Sequence, residues 1–174
     1  MQSYVGPASL LSLFFAGLRL DQATYRRVST ETAATHQCVG VALLAAVALG
    51  LERGMALGFA PILMVLVEIL RTGATLVVES AIVWAFARPL AGRPVAFGAV
   101  LRPLGLAVAP TIFYLVTVLT GIVSPVQEVI AVWLLIAFVV AIRAALGVGW
   151  GRAALLAIAV WAVGWVVDEM LKGA

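Results

Sequence analysis

The chain has almost none of the side chains on which site chemistry is usually built. Its 174 residues include one cysteine, Cys38, and one histidine, His36. A lone cysteine excludes an intramolecular disulfide and a thiolate metal centre, and Cys38 reads as a small apolar helix residue. The sequence holds no histidine–carboxylate metal cluster, no HExxH, no glycine-rich phosphate loop and no GxSxG. Most intramembrane hydrolase schemes therefore have no material. The expectation is a protein that is not an enzyme, with no cofactor and no metal.

Charge is scarce as well. Only 11% of residues are charged, where a soluble domain has about a quarter. The net charge of +3 comes mostly from arginines at helix ends. No basic run interleaves with aromatics, so nucleic acid is not expected as a partner. Against these deficits, 64% of residues are hydrophobic and the mean hydropathy is +1.17. A soluble core of this composition would leave too few polar residues to cover its surface, and lipid removes that requirement. Open sheet edges cannot satisfy their backbone in lipid, and the apolar runs do not alternate as barrel strands do. The expected class is all-α: a polytopic membrane helix bundle with five transmembrane helices and an N-terminal interfacial segment. The lipid bilayer is its first partner; other membrane proteins or further copies of the chain are open as others.

Two regions are expected. Residues 1–32 form the N-terminal interfacial, amphipathic segment. Its apolar run 8–20 is too short to span a bilayer, which takes roughly 20 apolar residues. That run also lacks a preceding basic residue and contains Arg19 just ahead of Asp21, so no cleavable signal peptide is expected. Asp21 should cap a helix starting at Gln22, with Tyr25, Arg26 and Arg27 in the headgroup region. Residues 33–171 form the membrane domain. Span 1 covers 33–51, with His36 at its cytoplasmic edge and Glu52, Arg53 and Gly54 closing it. Its Ala42, Ala46 and Gly50 make a small-residue stripe that would let another helix approach closely.

No break is obvious over 55–87. The preferred reading lays its first part, around Pro61, at the outer interface and crosses the membrane over 65–87. Residues 88–110 read as a cytoplasmic loop carrying Arg88, Arg93, Arg102 and four of the seven prolines. Spans 3, 4 and 5 follow over 104–123, 126–146 and 153–171, with turns at Ser124–Pro125 and over 147–152. Trp133, Trp150 and Trp165 fit interfacial belts, while Trp84 and Trp161 lie deeper.

Basic residues then orient the chain. With the N-terminus inside, the inner regions hold Arg19, Arg26, Arg27, Arg88, Arg93, Arg102, Arg143 and Arg152, and the outer regions hold only Arg53 and Lys172. This positive-inside bias predicts a cytoplasmic N-terminus and an outer C-terminus in the cell's cytoplasmic membrane. Splitting 55–87 at Thr72–Gly73 would turn Arg88, Arg93 and Arg102 outward and is rejected.

LRPLGLAVAP, from Leu101 to Pro110, followed by an apolar span and then by VWLLIAFVVAIRAALGVGWGRAALLA, resembles the bacterial branch of the Yip domain family. The resemblance covers roughly residues 20–171 in span order and is specific over 101–157. The family's glycine, aromatic and proline positions fall on Gly105, Leu106 and Pro110, with Leu106 in place of the aromatic. The resemblance implies a five-span fold. Eukaryotic members interact with Rab GTPases, but their Asp-Leu-aromatic-Gly-Pro motif is absent ahead of span 1 here. What carries over is a scaffold, membrane-organising or trafficking-like role.

The sharpest local pattern lies in span 2. Glu68, Thr72, Thr75 and Glu79 are spaced by four, three and four residues. At about 100° per residue they fall within roughly 60° of one another, and Arg71 flanks them. Glu68 and Glu79 stand about 16 Å apart along the axis. A charge at mid-bilayer costs at least about 2.5–3.5 kcal/mol, so these side chains should face protein or water. Two readings stay open: packing glue, with Glu68 paired to Arg71, or a polar seam for an ion, a proton or a polar solute. Tyr114 and Asp168 are candidate members of the seam, Asp168 as a partner for Arg71.

Two function classes follow. The first is a non-enzymatic scaffold or membrane-organising protein. The alternative is a small transporter or channel-like protein using the seam. A dry, fully packed bundle favours the first; a hydrophilic cavity reaching Glu79 favours the second.

Overall fold

The computed structural model describes residues 9–58, 60–121 and 124–172, without the side chains of residues 124 and 164–172. The first two helices, α1 (Leu10–Leu18) and α2 (Gln22–Thr30), form a short hairpin. Ser9 caps α1 by accepting from the Ser12 amide. Asp21 caps α2 as its sequence context predicts, accepting from the amides of Ala23 and Thr24 and from the Thr24 hydroxyl. The hydroxyl bond is the main cause holding the Asp21 carboxyl below its ordinary range. The hairpin is docked on the bundle through Leu13, Tyr25 and Val28, all buried. Tyr25 is therefore a core residue and not a headgroup anchor: its hydroxyl donates to the Gly17 carbonyl at 3.5 Å. Burial pushes that phenol well above its usual range.

After a 3-10 turn, Thr32–Ala34, come α3 (Thr35–Leu57) and α4 (Pro61–Ala91). Their boundary corrects the sequence reading in two ways. Helix α3 runs through Glu52, Arg53 and Gly54 and ends only at Leu57, where Gly58 takes φ 68° as its cap. Helix α4 then starts at Pro61, whose missing N–H costs nothing in a first turn. It continues as one 31-residue helix, about 46 Å long, rather than an interfacial piece followed by a crossing. The apolar run hid this break, because Leu57 to Met64 is hydrophobic on both sides of the turn. No interruption falls at Thr72–Gly73. The small-residue stripe does pack: Ala42, Ala46 and Gly50 are buried, and a Cβ at Gly50 would lie 2.5 Å from the Val65 Cα. Close backbone approach of this kind holds helices together where lipid leaves no hydrophobic drive between them.

The stretch 88–110 is the larger correction. Its irregular connection is confined to residues 92–96, and Phe97–Ala107 is a helix, α5, containing Arg102 and Pro103. Arg102 is 7% exposed. Its Nε and Nη2 donate to the carbonyls of Val28 and Ser29, each at 2.7 Å, closing the C-terminal end of α2. An arginine read as a solvated orienting charge is thus a buried cap. A 3-10 segment, Ala109–Phe113, leads to α6 (Tyr114–Thr120). Gly105 lies against the Cys38 backbone and Leu106 against Gly17, so α5 crosses both α3 and α1 at short range.

Helices α7 (Ser124–Leu146) and α8 (Trp150–Lys172) complete the chain. Their connection is shorter than expected, spanning only 147–149. Arg143 there lies 4.3 Å over the Trp150 ring and donates to Gln22 Oε1 at 2.6 Å. Trp133 stacks on Phe113 with ring centroids 5.3 Å apart. Trp84 is half exposed and donates to the Val95 carbonyl at 2.8 Å, so it clasps the 92–96 connection rather than filling the interior. Trp165 lies outside the described side chains.

The described residues are helical, with no strand among them. Four segments are long and apolar enough to cross a membrane: Thr32–Leu57, Pro61–Ala91, Phe97–Thr120 and Pro125–Leu146; Trp150–Val163 is a shorter apolar stretch. The architecture is an all-α, multi-pass membrane bundle.

Candidate functional site

Helix α4 is barely buried, as a peripheral helix in lipid is free to be. Its buried residues are Glu68, Leu76, Ser80, Val83 and Ala87; Thr72 and Glu79 are half-buried, and Arg71 and Thr75 are exposed. Glu68 is 2% exposed and forms an ion pair with Arg53, one helix away on α3. Arg71, one turn on, approaches the same Glu68 Oε1 at 3.7 Å. The other oxygen, Oε2, is buried and has no hydrogen-bond partner. Beside this triad Gln127 of α7 donates to Glu52 Oε1 of α3 at 3.2 Å. The helix ends that meet here are the end of α3, the start of α4 and the start of α7.

From the triad a cavity of about 240 Å³ runs inward between α3, α4, α6, α7 and α8. It is large enough for several waters. Six of the seven residues proposed from sequence line it: Glu68, Arg71, Thr72, Thr75, Glu79 and Tyr114. The side chain of the seventh, Asp168, lies outside the described residues. The periodicity of α4 brings its four polar residues and Arg71 to one wall, and α6 begins at Tyr114 opposite them. Thr111, just before α6, adds a further hydroxyl to the lining.

The sequence reading missed Arg53, Phe138 and Trp161, which also line the cavity. Arg53 was assigned to the end of span 1, and its inward role depends on α3 continuing to Leu57. The one available signal was its spacing from Ala46 and Gly50, which puts it on the face that meets α4. Phe138 and Trp161 sit in uniformly apolar runs, where nothing in the sequence distinguishes a cavity wall from a lipid contact. Conversely, Gly105, Leu106 and Pro110 do not line this cavity. Gly105 and Leu106 are buried where α5 packs on α3 and α1, and Pro110 is buried in the 3-10 segment that follows.

Chemically the arrangement divides in two. The mouth is an ion cluster of Arg53, Glu68 and Arg71. The inner part holds one described carboxylate, Glu79, among hydroxyl, aliphatic and aromatic walls. Among the described residues no three His, Cys, Asp or Glu side chains are grouped as metal ligands. Such a cavity can bind a solute or exchange a proton. The fold and site define a multi-pass helical membrane protein with a partly open cavity whose mostly apolar walls carry a few polar side chains. No family model, curated protein or solved structure matches this chain.

Proposed function

We propose that this chain is a small, non-enzymatic transporter-like protein that binds a polar solute in the cavity and couples its movement to the Glu79 carboxylate. The observation that carries the reading is the cavity itself, which runs from the Arg53–Glu68–Arg71 cluster to Glu79. A scaffold needs only packed helices, and a carboxylate kept inside an apolar bundle is expensive unless it is used. The geometry therefore favours transport over a membrane-organising role.

In this reading the chain crosses the cytoplasmic membrane five times, with α8 as the fifth span, the N-terminus inside and the C-terminus outside. The arginine distribution supports that orientation. The resemblance of residues 101–157 to the bacterial Yip branch supports the five-span frame and leaves the solute open. The triad then guards the outer mouth, and Glu79 lies near mid-membrane.

The test is proton entry into proteoliposomes containing a trapped pH-sensitive dye, driven by a potassium diffusion potential. Wild-type protein should acidify the lumen faster than empty liposomes, and Glu79→Gln should abolish the difference at unchanged thermal stability. Equal rates for wild type and variant would overturn the proposal.

A further inference from the structure

The walls of the cavity specify more than a polar solute. Helix rise places Glu79 about 18 Å from the end of α4 at Ala91, Phe138 about 12 Å from the end of α7 at Leu146, and Trp161 about 16 Å from the start of α8 at Trp150. Those three helix ends lie on the same side of the bundle: residues 147–149 join α7 to α8, and Arg93, just after α4, sits beside Gly147. Glu79, Phe138 and Trp161 therefore belong to one layer of the cavity. The layer contains a carboxylate, two aromatic rings and no described cation. Both arginines of the lining belong to the mouth, where Arg53 is drawn to Glu68. Helix rise sets Glu68 about 16 Å from Glu79.

We infer that the inner cavity binds an organic cation with an apolar body, a protonated amine of roughly arylalkyl size. This rests on the transporter-like reading and names its solute class. A carboxylate and aromatic faces both attract ammonium, the faces through their ring quadrupoles and more strongly once the site is desolvated. Aliphatic walls from Leu76, Val108 and Leu134 accept the apolar body. In the inner layer an anion would meet the Glu79 carboxylate with no described cation to offset it.

Equilibrium binding of three matched probes to the purified full chain in detergent tests this: phenethylammonium, phenethyl alcohol and phenylacetate. The cation should bind, the neutral alcohol at least tenfold more weakly, and the anion not measurably. Glu79→Gln should weaken the cation at least tenfold and Glu79→Asp less than that. Trp161→Leu should also weaken it, and carries the test if Glu79→Gln does not survive purification. Phenylacetate binding as tightly as the cation, cation binding indifferent to the variants, or no cation binding at all would overturn the inference. The proton-entry assay separates the two proposals: a proton flux dependent on Glu79 together with no cation binding refutes only the solute class.

Discussion

Arg102 reaches from the middle of α5 to the last turn of α2 and donates to two successive carbonyls, Val28 and Ser29, each at 2.7 Å. The last carbonyls of a helix have no partners within it, and here they are buried, so one guanidinium serves as the cap. Because its donors form a planar fork, the bond also fixes the angle at which the N-terminal hairpin meets the bundle. Arg102→Met should therefore destabilise the protein by about 3 kcal/mol, the scale of two charge-assisted bonds. Arg102→Lys should recover less than half, since an ammonium cannot copy the fork. Thermal unfolding in detergent checks this; a lysine variant as stable as wild type would show that charge alone suffices.

The Arg53–Glu68 pair is unequal in burial, and the inequality has a consequence. The arginine side chain is about a third exposed (32%) and the glutamate is 2% exposed. Removing the arginine strands a buried carboxylate, helped only by Arg71 at 3.7 Å. Removing the carboxylate charge leaves an arginine that can still reach polar surroundings. Arg53→Met should cost about 2–3 kcal/mol and Glu68→Gln about 1 kcal/mol. Unfolding of the two purified variants tests the order, and the reverse order would refute this account of the mouth.

Gly50 and Gly73 offer a paired comparison. A Cβ at Gly50 meets the Val65 backbone at 2.5 Å, while one at Gly73 meets nothing within 4 Å. Gly50→Ala should push α3 and α4 apart and destabilise by about 1–3 kcal/mol. Gly73→Ala should be neutral or stabilising by up to about 1 kcal/mol, the helix preference of alanine over glycine. Similar melting temperatures for the two variants would contradict the close α3–α4 contact.

Asp21 gives a pH-dependent term. Its carboxyl is held below its ordinary range, first by the Thr24 hydroxyl. A depressed folded-state pKa means the stabilisation is present above the unfolded value of about 3.9 and is lost as pH falls through the lower folded value. Asp21→Ala should cost about 1 kcal/mol at pH 7, and the gap from wild type should close in acid. Melting curves across that range measure it; a gap that stays constant would assign the effect to packing instead.

Topology is open to direct reading. Reporter fusions at Gly92 and Gly173 should report opposite sides of the membrane if α8 crosses. Equal signals would remove the fifth span and with it the outer C-terminus.

Much of the polar wall was legible because one helix carries it. Glu68, Thr72, Thr75 and Glu79 share a face of α4 by spacing alone, so their meeting in a cavity needs only that α4 be continuous. The Asp21 cap was legible for the same reason: its partners lie two and three residues away. Arg53, Phe138 and Trp161 were not, because each enters the cavity from a different helix, and periodicity within a helix says nothing of its rotation against its neighbours. The 88–110 stretch misled because three arginines and four prolines signal a loop, while Arg102 finds its partners 73 and 74 residues away.

By itself the sequence determined that this is a helical membrane protein. In lipid a chain with this little charge must satisfy its backbone internally, and helices do so locally. It also singled out Glu68 and Glu79 of α4 as side chains expected to face protein or water, because the insertion cost of a charge belongs to the residue wherever its partner lies. Only the tertiary structure decided that Arg53 answers Glu68, that Arg102 caps α2, and that Glu68, Thr72, Thr75 and Glu79 line one cavity with residues of other helices. Those outcomes depend on how separate helices are rotated, shifted and spaced, and that is set by contacts such as Gly50 on Val65, between residues distant in the chain.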